Sequence, residues 1–340
     1  MAKEKPTLIR IAENTGYSIS TISRVLGGKS DNYRISDRAE AIIRAEAEKC
    51  GYPLKPLAQI LRNGRTKTIG VVLPSVTNPF FAEMAGSVIA EASSRGYSSI
   101  VVVTMENEEE QASCISTLLS KKVDGILAAP CGEDGELFEK LNETVPVVLV
   151  DRFFVSKNIP YVTSSNFRGA FDATTILINS GHRDIVCIQG DRKSIPNQKR
   201  VEGYMSAMNS AGLSGSANVV GDGFSVQCGY LETKLLLSQA TRPTAILALS
   251  YTIVLGVMKA LRDSSLKLGQ DISLISFDDN IGLDHMLPAI TRISQPIEEM
   301  GKLATKILIE RIEGNSDKTP QLELKTELII RDSVKNVLPK

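Results

Sequence analysis

Several residues and motifs that mark other classes of protein are missing from this 340-residue sequence. It contains no tryptophan and only two histidines, His182 and His285. It also lacks a P-loop, a G-x-G-x-x-G after a strand, a G-x-S-x-G and an H-E-x-x-H, the motifs that serve nucleotide binding, serine hydrolysis and zinc hydrolysis. His182 lies in a GHR turn at the end of a predicted helix, where a histidine needs no catalytic role. We therefore do not expect an enzyme.

Cysteines and long apolar runs are also scarce. The five cysteines are widely spaced and form no C-x-x-C pair, so we expect free thiols, mostly buried, with no metal and no cofactor. No apolar run approaches the roughly 18 residues that a membrane helix needs. The opening residues MAKEKPTLIR have no apolar core like that of a signal peptide, which predicts a cytoplasmic protein without membrane contact.

Charge is balanced overall, with 39 basic and 39 acidic residues, but it is unevenly distributed. Residues 1–68 carry a balance of +6 and the remainder a balance of −6. A small basic head on an acidic body is typical of a nucleic-acid-binding module joined to a sensor domain.

The head is predicted to contain three short helices. Thr7 precedes LIRIAENT and Ser18 precedes ISTISRVL, and both are good N-caps. Gly16 ends the first helix, because glycine tolerates left-handed geometry. Ser36 caps a third helix, which stops at Gly51. Two helices joined through a glycine turn are the pattern of a helix-turn-helix.

After residue 69 the pattern changes to strands alternating with helices. The predicted strands are IGVVLP, SSIVVVT, GILAAP, VPVVLVD, IVCIQG, TAILALS and SLISFDD, and the segments between them include FFAEMAGSVIAEASSRG, EEEQASCISTLLSKK, GAFDATTILINSG and IVLGVMKALRDS. This alternation favours parallel sheets with helices on both faces. The unit occurs around 69–160 and again around 161–290, so we expect two similar lobes. Ligands of open α/β sheets bind beyond the carboxyl ends of the strands, which places a site in the cleft between the lobes.

With these residues in view, the sequence resembles the lactose-repressor (LacI/GalR) family over nearly its whole length. The matching segments, in family order, are TLIRIAENTGYSISTISRVLGG, KCGYPLKPLAQILRNGRTKTIGVVLPSVTNPFF, VDGILAAP, VPVVLVDR, RGAFDATTILINSGHRDIVCIQG, RVEGYMSAM, RPTAILALS, SLISFDDN, PAITRISQP and ELIIRDSV.

The resemblance implies an all-α helix-turn-helix headpiece (1–55), a hinge helix and linker (56–68) and a two-lobed, periplasmic-binding-protein-like α/β domain (69–340). The implied partners are pseudo-palindromic operator DNA, a sugar-like small-molecule effector and a second copy of the chain in a homodimer.

Eight residues are implied to contact DNA. By resemblance Ile19, Ser20 and Arg24 read base edges, and an arginine can donate a bidentate pair to guanine. Thr7, Ser18, Thr21 and Ser23 are then phosphate-contacting or capping groups. For Thr7 and Ser18 the alternative is helix capping alone, and for Arg24 it is a solvated surface charge.

The eighth is Leu61, in the segment Pro56–Gly64 that resembles the family's hinge helix. The segment is shorter than the roughly 12–15 residues that an isolated helix needs. In the family it folds on DNA and inserts a leucine into a minor-groove step, which bends the duplex. The alternative is that Leu61 packs on the neighbouring lobe.

Some positions depart from the family pattern in the DNA-binding part. Arg10 stands where an acidic residue is usual, Ala39-Glu40 replaces Thr-Arg, and Gln59-Ile60 replaces Arg-Ser. The loop GGKSDNYR is a few residues longer than usual.

Six residues are implied to bind the effector. They are Phe80, Phe81 and Phe224 as aromatic platforms, Arg200 as donor, Asp278 as acceptor, and Ser250 at a strand end. The alternatives are core packing for the phenylalanines, a surface ion pair for Arg200 and a loop cap for Asp278. Ser250-Tyr251 replaces the family's usual Asn-Asp pair, which removes a carboxylate that holds sugar hydroxyls, so an acidic, phosphorylated or partly aromatic effector stays open.

Two other functions remain possible at this stage. The two lobes also suit a solute-binding protein that feeds a transporter, although the basic head argues against one. A protein co-regulator in place of the small molecule would keep the DNA-binding role.

Overall fold

The computed structural model describes residues 7–27, 30–52, 65–316 and 318–338. Contacts within the chain divide it into two compact units, Met1–Thr68 and Ile69–Lys340, which are described separately. The predicted hinge segment Pro56–Gly64, with Leu61, lies outside the described residues.

The described residues of the first unit form three α-helices, α1 (Leu8–Thr15), α2 (Ile19–Leu26) and α3 (Asp37–Lys49). The predicted caps are confirmed. The side chains of Thr7, Ser18 and Ser36 accept hydrogen bonds from backbone N–H groups in the first turns, and Gly16 ends α1 with a φ of 74°. The core of the unit consists of side chains from all three helices: Ile11, Ile22, Val25, Ile43 and Ala47.

The second unit contains two six-stranded sheets with the orders β11-β5-β4-β3-β1-β2 and β12-β10-β9-β8-β6-β7. The strands are β1 (Thr68–Leu73), β2 (Ser98–Val103), β3 (Gly125–Ala128), β4 (Val147–Val150), β5 (Tyr161–Ser164), β6 (Ile185–Ile188), β7 (Asn218–Val220), β8 (Ala245–Ala248), β9 (Ser273–Phe277), β10 (Thr291–Ser294), β11 (Gln321–Leu324) and β12 (Glu327–Ile329). The strand pairs β1–β3, β3–β4, β4–β5, β5–β11, β6–β7, β6–β8, β8–β9 and β9–β10 are parallel, whereas β12 runs antiparallel to β10.

Eight helices accompany these sheets. They are α4 (Pro79–Ser94), α5 (Glu108–Ser120), α6 (Glu136–Asn142), α7 (Asn166–Asn179), α8 (Ile195–Ser210), α9 (Val226–Leu237), α10 (Tyr251–Asp263) and α11 (Ile297–Glu313). The seven predicted strands and the four predicted helical segments are all confirmed. We call the sheet of β1–β5 and β11, with α4–α6 and α11, the first lobe, and the other sheet, with α7–α10, the second lobe.

The predicted division of the chain into successive lobes, around 69–160 and 161–290, is wrong in detail. Strand β5 (Tyr161–Ser164) lies in the first lobe, and the chain enters the second lobe only with α7. After β10 the chain returns, because α11 packs on α4 and on the strands of the first sheet and β11 pairs with β5. It then crosses again into β12. Three connections therefore join the lobes, and an alternation of strands and helices along a sequence cannot reveal such crossings.

Buried apolar side chains on both faces explain the parallel sheets. Strands β3, β4, β6 and β8 are buried at every position. In the second lobe α9 and α10 approach closely at two glycines. A Cβ on Gly229 of α9 would lie 2.2 Å from the Ile253 carbonyl oxygen of α10, and a Cβ on Gly256 of α10 would lie 2.2 Å from the Val226 carbonyl oxygen of α9.

The five cysteines are free thiols, of which Cys114, Cys131 and Cys187 are buried and Cys50 and Cys228 are half-buried. Of the helices in the described ranges, none has both the length and the apolar character needed to cross a bilayer.

Candidate functional site

Helix α2 presents a polar face with one apolar member. Ile22 and Val25 point into the core, whereas Ile19, Ser20, Ser23 and Arg24 are exposed, with Ile19 at 46% of its maximal accessible area. Ile19 lies at the first turn of α2, is half exposed and is not part of the core, so its side chain is available to contact another molecule.

The hydroxyls before α1 and α2 are occupied by capping. Thr7 Oγ1 accepts from the Arg10 amide at 3.3 Å, and Ser18 Oγ accepts from the Thr21 amide at 3.1 Å. Ser18 Oγ also lies 2.8 Å from the hydroxyls of both Ser20 and Thr21. The capping role is thus present for Thr7 and Ser18, and the Thr7 hydroxyl can still donate its proton outward.

In the second unit, one cavity lies between the lobes at the carboxyl ends of their strands. It is lined by Asn78, Phe80, Phe81, Asp151, Arg152, Ser194, Pro196, Arg200, Phe224, Ser250, Asp278 and Gln295. All six predicted effector residues are among them. The empty space of this cavity is about 320 Å³, at the lower end of the range for small-molecule sites.

The aromatic part of the wall comes from both lobes. Phe80 and Phe81 begin α4, behind the Asn78 cap and Pro79, and their rings meet edge to face with centroids 5.0 Å apart. Both are buried and belong to the core of the first lobe, so core packing and cavity lining coexist in these residues. Phe224 faces them from the second lobe with its ring against Gly190, where an added Cβ would lie 2.2 Å from the ring.

Arg200 is buried, so a surface ion pair is the wrong interpretation. Its Nε donates to Asn166 Oδ1 at 2.7 Å and its Nη1 donates to the Leu249 carbonyl at 2.8 Å. The guanidinium lies 3.8 Å from the centroid of the Phe277 ring and 3.8 Å from Asp278 Oδ1. Four different partners therefore fix one orientation of this cation.

Asp278 follows β9 in a left-handed conformation, with a φ of 77°. Its Oδ2 accepts from the Tyr251 amide at 3.3 Å, and its Oδ1 accepts from the Gln295 amide group. The loop-cap role is therefore real, because Asp278 caps α10 from another loop while Ser250 caps it directly through the Ile253 amide. A strained backbone held by buried partners is a frequent feature of ligand sites.

Asp151 is a cavity residue that the sequence analysis did not select. It follows β4 with a φ of 63°, is 5% exposed, and its Oδ1 has no hydrogen-bond partner among the described residues. Burial raises the pKa of Asp151 from 3.8 to about 6, against the opposing effect of Arg200 and Arg152. Its signal was available in the motif VPVVLVD, an acid directly after a buried strand.

Four further polar residues of the cavity were also missed: Asn78, Arg152, Ser194 and Gln295. Arg152 is buried and donates to both carboxylate oxygens of Glu106, at 2.6 and 2.8 Å. Ser194, before α8, is buried and its Oγ has no partner among the described residues. An unpaired buried hydroxyl and an unpaired buried carboxylate oxygen in one cavity indicate that something else completes their hydrogen bonds.

Comparison with known proteins agrees with this architecture. Residues 174–334 match the family model of the periplasmic binding protein-like domain. In solved structures, the Lac repressor dimer bound to operator and the anti-inducer ONPF superposes with a TM-score of 0.85 at 24% identity, covering 98% of this chain and all of that one. At that identity the likeness shows the fold. A putative ribose operon repressor from Burkholderia thailandensis gives a TM-score of 0.71 at 31% identity, covering 78% of this chain and 99% of that one.

Full-length sequence relatives decide the family. The ribose operon repressor of Haemophilus influenzae is 32% identical over 333 residues, which is 96% of this chain and 98% of the relative. The transcriptional repressor PurR of Pasteurella multocida is 30% identical over 98% of this chain and 99% of its own length. These relatives are transcriptional repressors, not enzymes. The chain belongs to the LacI family of transcriptional regulators.

Proposed function

We propose that this protein is a cytoplasmic, homodimeric repressor that binds a pseudo-palindromic operator and whose affinity for it is set by a neutral, polyhydroxylated small molecule. The observation that carries the effector part is the convergence of six predicted residues on one interlobe cavity. Relatives named for a ribose operon and for purines support an effector of metabolite size. A cytoplasmic location follows from the need to reach operator DNA.

The charges of the cavity favour a neutral effector over the acidic or phosphorylated one that the Ser250-Tyr251 pair left open. Recognition of an anion uses a free guanidinium fork. Here Arg152 is paired with Glu106, whereas Arg200 donates through Nε and Nη1 to Asn166 and the Leu249 carbonyl, which leaves its Nη2 for a ligand. An anionic group would also face the carboxylates of Asp151 and Asp278.

Hydroxyl groups fit the same cavity better. Asp151 Oδ1 is an acceptor without a donor, and Ser194 Oγ is a hydroxyl without a partner. A sugar hydroxyl can donate to the first and exchange a hydrogen bond with the second. Phe80, Phe81 and Phe224 offer apolar surfaces for the C–H face of a sugar ring. Asp151 would thus take over as hydroxyl acceptor where Tyr251 replaces the usual acid.

Regulation would follow from the position of the cavity between the lobes. An effector that contacts Phe80 of the first lobe and Arg200 of the second would favour one separation of the lobes over others. A ligand shifts the equilibrium between two separations by its difference in affinity for them. By resemblance to the family, the separation is passed on to the hinge segments, which lie outside the described residues.

A thermal-shift screen tests the effector proposal, because a ligand that binds only the folded protein raises its melting temperature. Neutral pentoses and hexoses are compared with the matching sugar phosphates and sugar acids. We expect a neutral sugar to stabilise the wild type but not Arg200→Ala. Arg168→Ala is the matched control, because Arg168 is exposed on α7 and does not line the cavity. Stabilisation by phosphates alone would contradict the neutral effector, and no stabilisation by any compound would favour a protein co-regulator.

Selection of binding sites from random DNA tests the operator proposal. The wild type should enrich a pseudo-palindrome, and Arg24→Ala should lose about 1–3 kcal/mol of discrimination at one base pair of each half-site. Lys49→Ala, which removes an exposed positive charge from the end of α3, should leave discrimination at that base pair unchanged. An equal loss of affinity for all sequences in Arg24→Ala would contradict base readout by this residue.

A further inference from the structure

The candidate readout residue Arg24 is stacked on an aromatic ring. Its guanidinium carbon lies 4.0 Å from the centroid of the Tyr33 ring. Both side chains are exposed, and Tyr33 keeps 49% of its accessible area. Tyr33 belongs to the loop between α2 and α3, the loop in which this sequence is longer than the family pattern. This loop thus places an aromatic ring against the exposed Arg24 side chain of α2.

The ring is held from the loop side by a closed turn. Residues Asp31–Tyr33 form a single 3-10 turn, and both the Tyr33 and Ile35 amides donate to the Ser30 carbonyl, at 3.3 and 3.0 Å. Ser30 is buried, and Ile35 packs against the core of the three-helix unit. The position of Tyr33 is therefore set by contacts on both sides of it in the chain.

The other partner is held through the end of α2. Arg44 of α3 donates to the Val25 carbonyl at 3.4 Å, and its Nε donates to Glu40 at 2.7 Å. These bonds tie the last turn of α2, which carries Arg24, to α3. Arg24 and Tyr33 are thus presented to each other from two segments that are each anchored to the same core.

Stacking restricts an arginine without consuming its hydrogen-bond donors. The five N–H groups of a guanidinium lie in its plane, so a ring against its face leaves them free to reach a base edge. An unstacked, exposed arginine must give up its rotamer freedom when it binds, which weakens the contact that it makes. A cation over a ring at this distance gains attraction even at an exposed site.

From these contacts we infer that Tyr33 is a positioning residue for base readout: its ring holds the Arg24 guanidinium ready for a guanine, so the longer loop sharpens operator specificity. This inference rests on the proposed role of Arg24. It differs from a contact between the Tyr33 hydroxyl and a phosphate, which would add affinity for every sequence equally.

A double-mutant cycle tests the inference in the full-length protein. Affinities of the wild type, Tyr33→Phe, Tyr33→Leu, Arg24→Ala and Arg24→Ala/Tyr33→Leu are measured for the selected operator and for a variant with the Arg24-dependent base pair replaced. We expect Tyr33→Leu to reduce discrimination at that base pair by about three- to tenfold. Tyr33→Phe, which keeps the ring, should match the wild type. In the Arg24→Ala background Tyr33→Leu should cause no further loss of discrimination.

Three results would overturn the inference. Equal losses in Tyr33→Phe and Tyr33→Leu would assign the effect to the hydroxyl. A loss in Tyr33→Leu that is the same for all sequences and persists without Arg24 would make Tyr33 a backbone contact. Unchanged discrimination in Tyr33→Leu would leave the ring without a role in readout.

A separate result would contradict the proposed role of Arg24: an Arg24→Ala variant that discriminates between the two DNA sequences as well as the wild type does. Tyr33→Gln repeats the test in a polar side chain of similar length, and circular dichroism melting confirms that each variant is folded.

Discussion

The buried carboxyl of Asp151 should make the protein less stable at pH 7 than a variant with an uncharged side chain at this position. Burial raises the pKa of Asp151 from 3.8 to about 6. Between these values the unfolded chain has lost the proton that the folded protein still holds. The free energy of unfolding therefore falls as the pH rises from about 4 to about 6, and the loss is complete at higher pH.

The size of the effect follows from the shift. About two pKa units at 1.36 kcal/mol each give roughly 3 kcal/mol at pH 7.5. Asp151→Asn keeps the shape of the side chain and removes this cost, so it should raise the free energy of unfolding by up to about 3 kcal/mol at pH 7.5 and by nothing at pH 4. At about 2 °C per kcal/mol for a unit of this size, the melting temperature should rise by about 6 °C.

Chemical denaturation and thermal melting of both proteins, without effector and at several pH values, measure this difference. Asp222→Asn is the matched control, because Asp222 is exposed and its replacement should change stability little at any pH. The same Asp151→Asn variant should bind a neutral sugar more weakly, since one of the two acceptor oxygens becomes an NH2 donor and the other loses its charge, so stability and effector affinity should move in opposite directions. A stability difference between the wild type and Asp151→Asn that is the same at pH 4.5 and 7.5 would refute the reasoning.

Three other perturbations have defined outcomes. Gly190→Ala should displace the Phe224 ring and weaken effector binding about tenfold by calorimetry, whereas Gly215→Ala, where an added Cβ meets open space, should not. Burial lowers the pKa of His182, which bonds Thr244 and the Lys335 carbonyl, so its contribution to stability is lost as the pH falls below 6.5. Denaturation of His182→Gln should show less acid destabilisation than the wild type, and equal slopes would count against this. Leu61→Ala should reduce specific but not nonspecific DNA binding, and an unchanged DNA bend by fluorescence energy transfer would contradict an inserted leucine.

Seven strands were predictable from the sequence, whereas the edge strands β7, β11 and β12 and the interior strands β5 and β10 were not. Runs such as TAILALS and VPVVLVD are continuously apolar because β8 and β4 are buried on both faces. Strand β11 alternates between exposed and half-buried residues, and β7 and β12 have only three residues each. Strand β10 contains Arg292, which is buried only because Asp279 and Asp284 pair with it from elsewhere in the chain. The sequence around Arg292 does not indicate that such partners exist.

The cavity was predicted in the same partial way. Phe80, Arg200 and Asp278 stand in segments that resemble family motifs, and the structure places them on one cavity. Asp151 and Gln295 were missed, although each of them directly follows a strand. Their presence depends on the order of strands in each sheet and on the crossings between lobes. Those are properties of pairing across long stretches of chain, which the sequence around each residue does not encode.

The late return of the chain to the first lobe has a consequence for synthesis. The first sheet lacks its outer strand until Gln321–Leu324 has left the ribosome, and the second lacks one until Glu327–Ile329 has followed. Neither sheet is complete before these two strands have been made, so a nascent chain keeps open sheet edges in both lobes until then. A chain truncated after residue 320 should therefore have two incomplete lobes and not one intact lobe with a ragged end.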